Sequence, residues 1–263
     1  MSAVKRYIQF PDEKTNRTLI SEIYSYIQEN HRNEYFYKNS LLNSLLINNP
    51  EHNPLTTVAL TEIPIAKSKV DFVLINGQAN VYEIKTELDN FDRLETQLRD
   101  YFKAFDHVSV VTAPVYEEKV QDVLGENKYV GIYILSDSGK LNRIRKPEEF
   151  RKSLDKTTMF KILRKCEYEE VLIKLGAKLP EVTQFEYYQA CLSLFKRIQI
   201  NRLYTEYCNV LKKRCHIEFE KYLTLPSELK AVAYFSQIKN KQYEEINTFL
   251  DSKYKEKRCT TRI

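Results

Sequence analysis

The sequence predicts an α/β fold, in which a mixed sheet flanked by helices is followed by a mainly α-helical region. Three extended segments rich in β-branched residues lie between residues 56 and 85, and the apolar spacing becomes helical from Asp89 onwards. Beyond Pro147 the pattern is helical almost throughout. Because strands repeat every two residues and helices every 3.6, we expect a core in residues 1–146 and an α-helical region with a basic tail in residues 147–263.

The elements of the core follow one another in a definite order. Asp12 and Thr15 can cap a helix through LISEIYSYIQEN, and YFYKNSLLNSLLI predicts a second helix before NNPEHNP ends it. The segments TTVALTEIPI, VDFVLI and ANVYEIK predict three strands. An amphipathic helix through about Phe105 leads to the strand HVSVVTAP, the helix VYEEKVQDVLG and the strand KYVGIYILSD. The predicted order is helix, three strands, helix, strand, helix, strand.

Composition and charge narrow the class of protein. The chain of 263 residues is 43% hydrophobic and has five cysteines without a CxxC pair, which disfavours a disulfide framework or a zinc site. Residues 61–120 carry 7 basic and 11 acidic side chains, and residues 121–263 carry 28 and 19. An acidic centre followed by a basic remainder suits a cation site beside a polyanion-binding surface, although solvated helices would give the same counts. We find no apolar run that could span a bilayer or act as a signal peptide, so we expect a cytoplasmic protein with no membrane partner.

The predicted hairpin Val70–Lys85 carries charges where a core is expected. Glu83 and Lys85 share one face of their strand, because side chains alternate. A two-residue turn would set Asp71 opposite Tyr82, whereas an odd loop such as Asn76-Gly77-Gln78 sets Asp71 opposite Glu83. In the second register the two carboxylates need a positive charge between them, and Mg²⁺ or Mn²⁺ suits oxygen ligands. A solvated salt-bridge cluster is the alternative interpretation.

These residues resemble a known motif. Asp71, an eleven-residue gap and Glu83-Ile84-Lys85 are similar to the PD-(D/E)xK nuclease superfamily, whose members share a restriction-endonuclease-like fold. The resemblance implies that Asp71 and Glu83 are metal ligands and that Lys85 is the catalytic lysine. The segment EIKTELDNFDRLETQLRDYFKAFDHVSVV also resembles a poorly characterised bacterial and phage family of that superfamily. The likeness covers residues 55–115.

The helix after the hairpin extends the resemblance. Gln97 and Tyr101 form a QxxxY pattern similar to that of RecB-type members, and helical spacing adds Arg93 to the same stripe. The resemblance implies that this stripe faces the active site and the nucleic-acid backbone, with Gln97 catalytic and Arg93 and Tyr101 in contact with nucleic acid. Tyr101 also fits the apolar stripe as a core residue. For a further upstream acidic ligand we prefer Glu62 to Glu22.

A basic stretch in the second half of the chain is the candidate surface for phosphate contacts. Between Lys140 and Lys165 ten basic residues stand against three acidic ones, and a phosphate backbone is a natural partner for such a stretch. The residues that we expect to bind nucleic acid are Lys140, Arg143, Arg145 and Lys146.

Together these features predict a Mg²⁺-dependent nuclease, an enzyme that cleaves DNA in a bacterial or phage repair, restriction or defence context. Two alternatives remain open. One is a non-catalytic nucleic-acid-binding or protein-binding module on the same fold. The other is a phage-encoded factor that binds a host protein through the helical C-terminal region. A homodimer would suit double-strand cleavage.

Overall fold

Three helices precede the sheet in the computed structural model, which describes residues 4–50 and 53–255. They are α1 (Val4–Tyr7), α2 (Asn16–Asn30) and α3 (Glu34–Leu42), and α3 continues into a π-helical turn, Asn43–Ile47. The Thr15 hydroxyl accepts the Thr18 N–H and caps α2, as predicted, and Asn33 caps α3 in the same way. Cys259 and the basic end of the chain, residues 256–263, lie outside the described residues.

The strands form a mixed six-stranded sheet and a separate two-stranded hairpin. The sheet order is β1-β4-β5-β6-β7-β8, in which β5, β6 and β7 run parallel while β4 and β8 are antiparallel to their neighbours. The predicted mixed sheet flanked by helices is therefore confirmed. The strands are β1 (Val58–Leu60), β2 (Ile63–Ile65), β3 (Ser68–Val70), β4 (Phe72–Asn76), β5 (Gln78–Lys85), β6 (His107–Thr112), β7 (Val130–Leu135) and β8 (Leu141–Arg145).

The first predicted strand is wrong in one respect. TTVALTEIPI is not one strand, because Glu62 adopts a left-handed backbone with φ of 60° and redirects the chain after β1. Ala66, with φ of 53°, closes β2 onto β3, and this hairpin packs against the helix that follows the main hairpin. The predicted strand VDFVLI likewise breaks at Asp71, which lies between β3 and β4.

Helices cover both faces of the sheet. The helices between the strands are α4 (Leu94–Tyr101), shorter than the predicted helix through Phe105, and α5 (Glu117–Leu124). The C-terminal helices are α6 (Lys156–Ile162), α7 (Lys165–Lys174), α8 (Gln184–Arg197), α9 (Ile200–Lys212), α10 (Phe219–Leu223), α11 (Lys230–Phe235) and α12 (Asn240–Asp251). Within the described residues, no helix combines the length and the apolar character needed to cross a bilayer.

Two hydrophobic cores follow from strand alternation. Val73 and Val81 face one core with α4, α5 and residues of α6–α9, whereas Phe72 and Tyr82 face the other core with α3 and residues of α10–α12. The strands β6 and β7 are buried along their whole length, as expected for strands covered on both faces. Both cores include residues from each side of residue 146, so the predicted division separates types of secondary structure rather than two cores.

Candidate active site

The β4–β5 hairpin has the odd register that brings the charges together. Ile75 pairs with Ala79 and Val73 with Val81. Pairing continues to Asn76 and Gln78, so the loop is shorter than the expected three residues and only Gly77, with φ of 71°, remains at its tip. Continuing this register by one residue beyond the pair Phe72 and Tyr82 sets Asp71 opposite Glu83.

Asp71 and Glu83 form a close carboxyl pair on the face of the sheet that α4 covers. Asp71 Oδ2 accepts the Ile84 N–H at 2.9 Å, and the carboxyl group of Glu83 is close enough for its charge to act on Asp71. Burial and then the charge of Glu83 raise the pKa of Asp71 to about 8. Burial also raises the pKa of Glu83, although Tyr101 and Lys85 oppose that rise. One carboxyl of the pair therefore keeps a proton near neutral pH.

The predicted QxxxY residues of α4, Gln97 and Tyr101, both donate hydrogen bonds to Glu83. Gln97 Nε2 donates to Glu83 Oε1, and Gln97 Oε1 accepts from Lys85 Nζ at 2.9 Å. The Tyr101 hydroxyl donates to Glu83 Oε2 at 2.5 Å. Lys85 Nζ itself lies 3.1 Å from Glu83 Oε1. Both oxygens of Glu83 and the ammonium of Lys85 are thus fixed by one helix face.

This geometry corrects the prediction for Tyr101. Its side chain is completely buried, and its hydroxyl is bonded to Glu83 and lies 3.0 Å from the carbonyl oxygen of Lys69. Burial and the adjacent Glu83 raise the pKa of Tyr101, so its hydroxyl stays a donor. Tyr101 therefore positions a carboxylate and does not contact nucleic acid.

The upstream acidic residue at this site is Glu34, which the sequence analysis missed. Glu62 was expected to point inward from a strand. It instead lies in the turn after β1 and is ion-paired to Lys38 and Lys69. Glu34, the first residue of α3, lines the same pocket as Asp71 and Glu83 and pairs with Lys38 at 2.6 Å. The predicted helix began one residue too late, at Tyr35. The sequence signal that could have placed Glu34 at the start of the helix was the cap residue Asn33 followed by an acidic residue.

Comparison with known proteins gives the chain a family. A family model described as bacteriophage P4 protein cII matches residues 27–257. The chain belongs to this P4 cII family. Protein cII of Enterobacteria phage P4 is 23% identical to it over 194 residues, which are 73% of this chain and 67% of that protein. No solved structure matches the chain.

The P4 cII match spans every residue of the site described so far, and it continues through the C-terminal helices. Most residues of both hydrophobic cores therefore lie within the matched range. The match also bears out the phage association expected from the sequence, at the level of the family.

In this member of the P4 cII family, one predicted basic contact lies at the site and four do not. Arg93 is exposed and lines the site pocket, which has a volume of about 500 Å³. The other four lie on or beside β8, which is the edge strand of the sheet and lies three strands away from β5. At about 4.8 Å per strand, β8 is roughly 14 Å from β5. The four residues are Lys140, Arg143, Arg145 and Lys146.

The prediction for Arg145 is also corrected. Its guanidinium donates to the carbonyl oxygens of Val130 and Gly125, both at 2.9 Å, and so it joins the end of α5 to the start of β7. That guanidinium is bound within the fold and is not free for phosphate. Lys140, Arg143 and Lys146 are exposed, and their contact with nucleic acid stays a prediction.

The donor set at the site fits a hard divalent cation. Asp71, Glu83 and Glu34 offer only carboxylate oxygens, which are the ligands that Mg²⁺ and Mn²⁺ prefer. A buried pair of carboxyls with raised pKa values is also a site where a cation can replace a proton. In the part of the chain that the structure describes, no group of three or more His, Cys, Asp or Glu side chains is arranged to hold a metal ion. A cation here would therefore rely on two carboxylates and water, as Mg²⁺ often does.

Proposed function

We propose that this chain is a metal-dependent nuclease that hydrolyses phosphodiester bonds of nucleic acid, with DNA as the first substrate to test. The observation that carries the proposal is the carboxyl pair Asp71 and Glu83, with Lys85 in the same open pocket. The resemblance of these residues to the PD-(D/E)xK superfamily supports it. We also propose a restriction-endonuclease-like core, because the chain runs from helices through an antiparallel hairpin to a helix and a parallel strand.

Each residue has a role that follows from its contacts. Asp71 and Glu83 would hold Mg²⁺ or Mn²⁺ together with water, while Glu34 lines the same pocket and is ion-paired to Lys38. Such a cation, when bound, supplies Lewis acidity toward a phosphate oxygen and toward water. Gln97 and Tyr101 keep Glu83 in one orientation. Lys85, held by Gln97 and Glu83, offers a positive charge to a phosphate that gains charge during reaction.

The test is cleavage of plasmid, linear duplex and single-stranded DNA with Mg²⁺ and with a chelator. Wild type should cleave at least one substrate only with Mg²⁺. Lys85→Met keeps the length of the side chain but removes its charge, and it should lose at least a hundredfold in rate, about 3 kcal/mol of barrier. Lys152→Met, which changes an exposed lysine of the C-terminal region, is the matched control and should keep full activity. Absence of Mg²⁺-dependent cleavage, together with a melting temperature that Mg²⁺ does not change, would refute the nuclease proposal.

A second candidate function is protein binding through the helical C-terminal region. The observation that favours it is an apolar patch at the start of α8. Phe185 is 97% exposed, and Val182 and Tyr188 are exposed beside it. Exposed aromatic side chains of this kind often mark an interaction surface. Sedimentation velocity of wild type and Phe185→Asp tests whether the patch joins two copies of the chain. A homodimer that Phe185→Asp dissociates would support this candidate, and an identical monomer for both would count against self-association.

A further inference from the structure

Leu88 is an apolar side chain exposed at the rim of the site pocket. It is 83% exposed and follows β5, three residues after Lys85. Leu88 also lines a second pocket of about 480 Å³, whose other walls include His31 and Arg32. Leu88 thus lines both pockets. A ligand that covers this exposed leucine removes its apolar surface from water, which favours binding.

The turn that carries Leu88 is held rigidly. Asp89 Oδ2 accepts both the Thr86 N–H at 2.8 Å and the Thr86 hydroxyl at 2.7 Å. The Leu88 N–H donates to Thr86 Oγ1 at 3.2 Å, and the Asp89 N–H donates to the Thr86 carbonyl at 3.2 Å. The backbone on both sides of Leu88 is therefore fixed before any ligand arrives, so little conformational entropy is lost on binding.

Glu87, the residue before Leu88, is anchored as well. Its carboxylate pairs with Arg32 and accepts the Tyr37 hydroxyl at 3.2 Å. Its carbonyl accepts the Tyr116 hydroxyl at 3.1 Å. Arg32, Tyr37 and Tyr116 thus hold this one residue, while the side chain of Leu88 next to it projects into solvent. The turn presents the leucine and does not bury it.

The chemistry of the second pocket favours a base over a phosphate. The Arg32 side chain is only 10% exposed, and Glu87 and Asp137 neutralise its charge. With Glu29 also in the wall, the pocket is acidic and would repel phosphate. The amide nitrogens of Gln28 and Asn30 in the same wall donate to the carbonyl oxygens of Asp137 and Tyr26. Each amide also has an acceptor oxygen and a second N–H, and these, together with the carboxylates, can pair with the polar edge of a nucleobase.

We propose that Leu88 packs against the face of an unstacked nucleobase next to the scissile phosphate, with the edge of that base in the second pocket. The protein then prefers single-stranded nucleic acid, because bases inside a duplex have both faces covered by their neighbours. This inference rests on the proposed nuclease function, in which the phosphate lies at Asp71 and Glu83. Leu88 is a residue that determines specificity, and it takes no part in the chemical step.

The experiment measures binding and cleavage separately. Fluorescence anisotropy of a short labelled single strand and of the matching duplex gives Kd for full-length Lys85→Met protein with Mg²⁺, a background in which cleavage cannot disturb the reading. In that background we compare Leu88→Ser, Leu88→Met and Leu55→Ser. Leu55 is the matched control, because it is 79% exposed and lines a different pocket. Cleavage of both substrates is measured with the same three substitutions in the wild-type chain.

The expected result is tighter binding of the single strand than of the duplex. Leu88→Ser should weaken single-strand binding about tenfold, which corresponds to the loss of part of a buried leucine, and should leave duplex binding unchanged. Leu88→Met and Leu55→Ser should bind the single strand as their parent does. This pattern without any cleavage, and with a melting temperature that Mg²⁺ does not change, would support the role of Leu88 in binding and refute the nuclease proposal. Equal binding by Leu88→Ser and its parent, a preference for duplex, or no binding at all would overturn the inference, whatever the cleavage assay shows.

Discussion

The carboxyl pair at the site should make the stability of the folded protein fall as pH rises. Burial and Glu83 raise the pKa of Asp71 from 3.8 to about 8 in the folded state, whereas in the unfolded chain it returns to about 3.9. Between these values the folded protein keeps a proton that the unfolded chain releases. The contribution of Asp71 is therefore present in full below about pH 4 and is lost as pH rises through about 8.

The size of this loss follows from proton linkage. Each pH unit over which the two states differ by one proton changes the free energy of unfolding by about 1.4 kcal/mol. Between pH 5 and pH 8 the expected loss is therefore about 4 kcal/mol. Because Glu83 shares the same proton, the pair is counted once.

Asp71→Asn isolates this effect. The amide oxygen of Asn can still accept the Ile84 N–H, but the side chain no longer ionises. Urea unfolding of wild type and Asp71→Asn at several pH values between 5 and 8 should give curves that diverge, with the variant gaining about 4 kcal/mol relative to wild type at pH 8. Asp122→Asn, on the exposed face of α5, is the control and should follow the wild-type curve. Parallel curves for wild type and Asp71→Asn would refute the reasoning.

Three further predictions each concern a substitution at one buried residue. Tyr101→Phe removes a hydrogen-bond donor from Glu83, and urea unfolding should show a loss of about 1–3 kcal/mol of unfolding free energy; an unchanged unfolding free energy would contradict this. Gly131→Ala places a Cβ 2.4 Å from Ser109 Oγ, so urea unfolding should show a loss of about 1–3 kcal/mol, part of which Ser109→Ala restores. A neutral Gly131→Ala would disprove the overlap. Burial lowers the pKa of Lys230 to about 8, so the stability of wild type relative to Lys230→Met should rise by about 2–3 kcal/mol between pH 8 and pH 10; a constant difference would show that Lys230 is not desolvated.

Much of the site was predictable because strand geometry is local. Side chains alternate along a strand, and so Glu83 and Lys85 had to share a face. Only the register of the hairpin was open, and an odd loop was the one choice that aligned Asp71 with Glu83. The structure has that register, with Gly77 at the tip. Helical spacing in the same way put Gln97 and Tyr101 on one face of α4.

The class of the fold, the order of most elements and the residues that share a face could be predicted from the sequence, since these depend on neighbours a few positions apart. Which groups those faces meet depends on how distant segments pack. Glu62 left the site because a left-handed residue turned the chain, and Glu34 entered it because α3 packs beside the hairpin. The guanidinium of Arg145 is bound to carbonyl groups 15 and 20 residues away along the chain. Such partners are set by packing of distant segments, and periodicity along the chain does not record them.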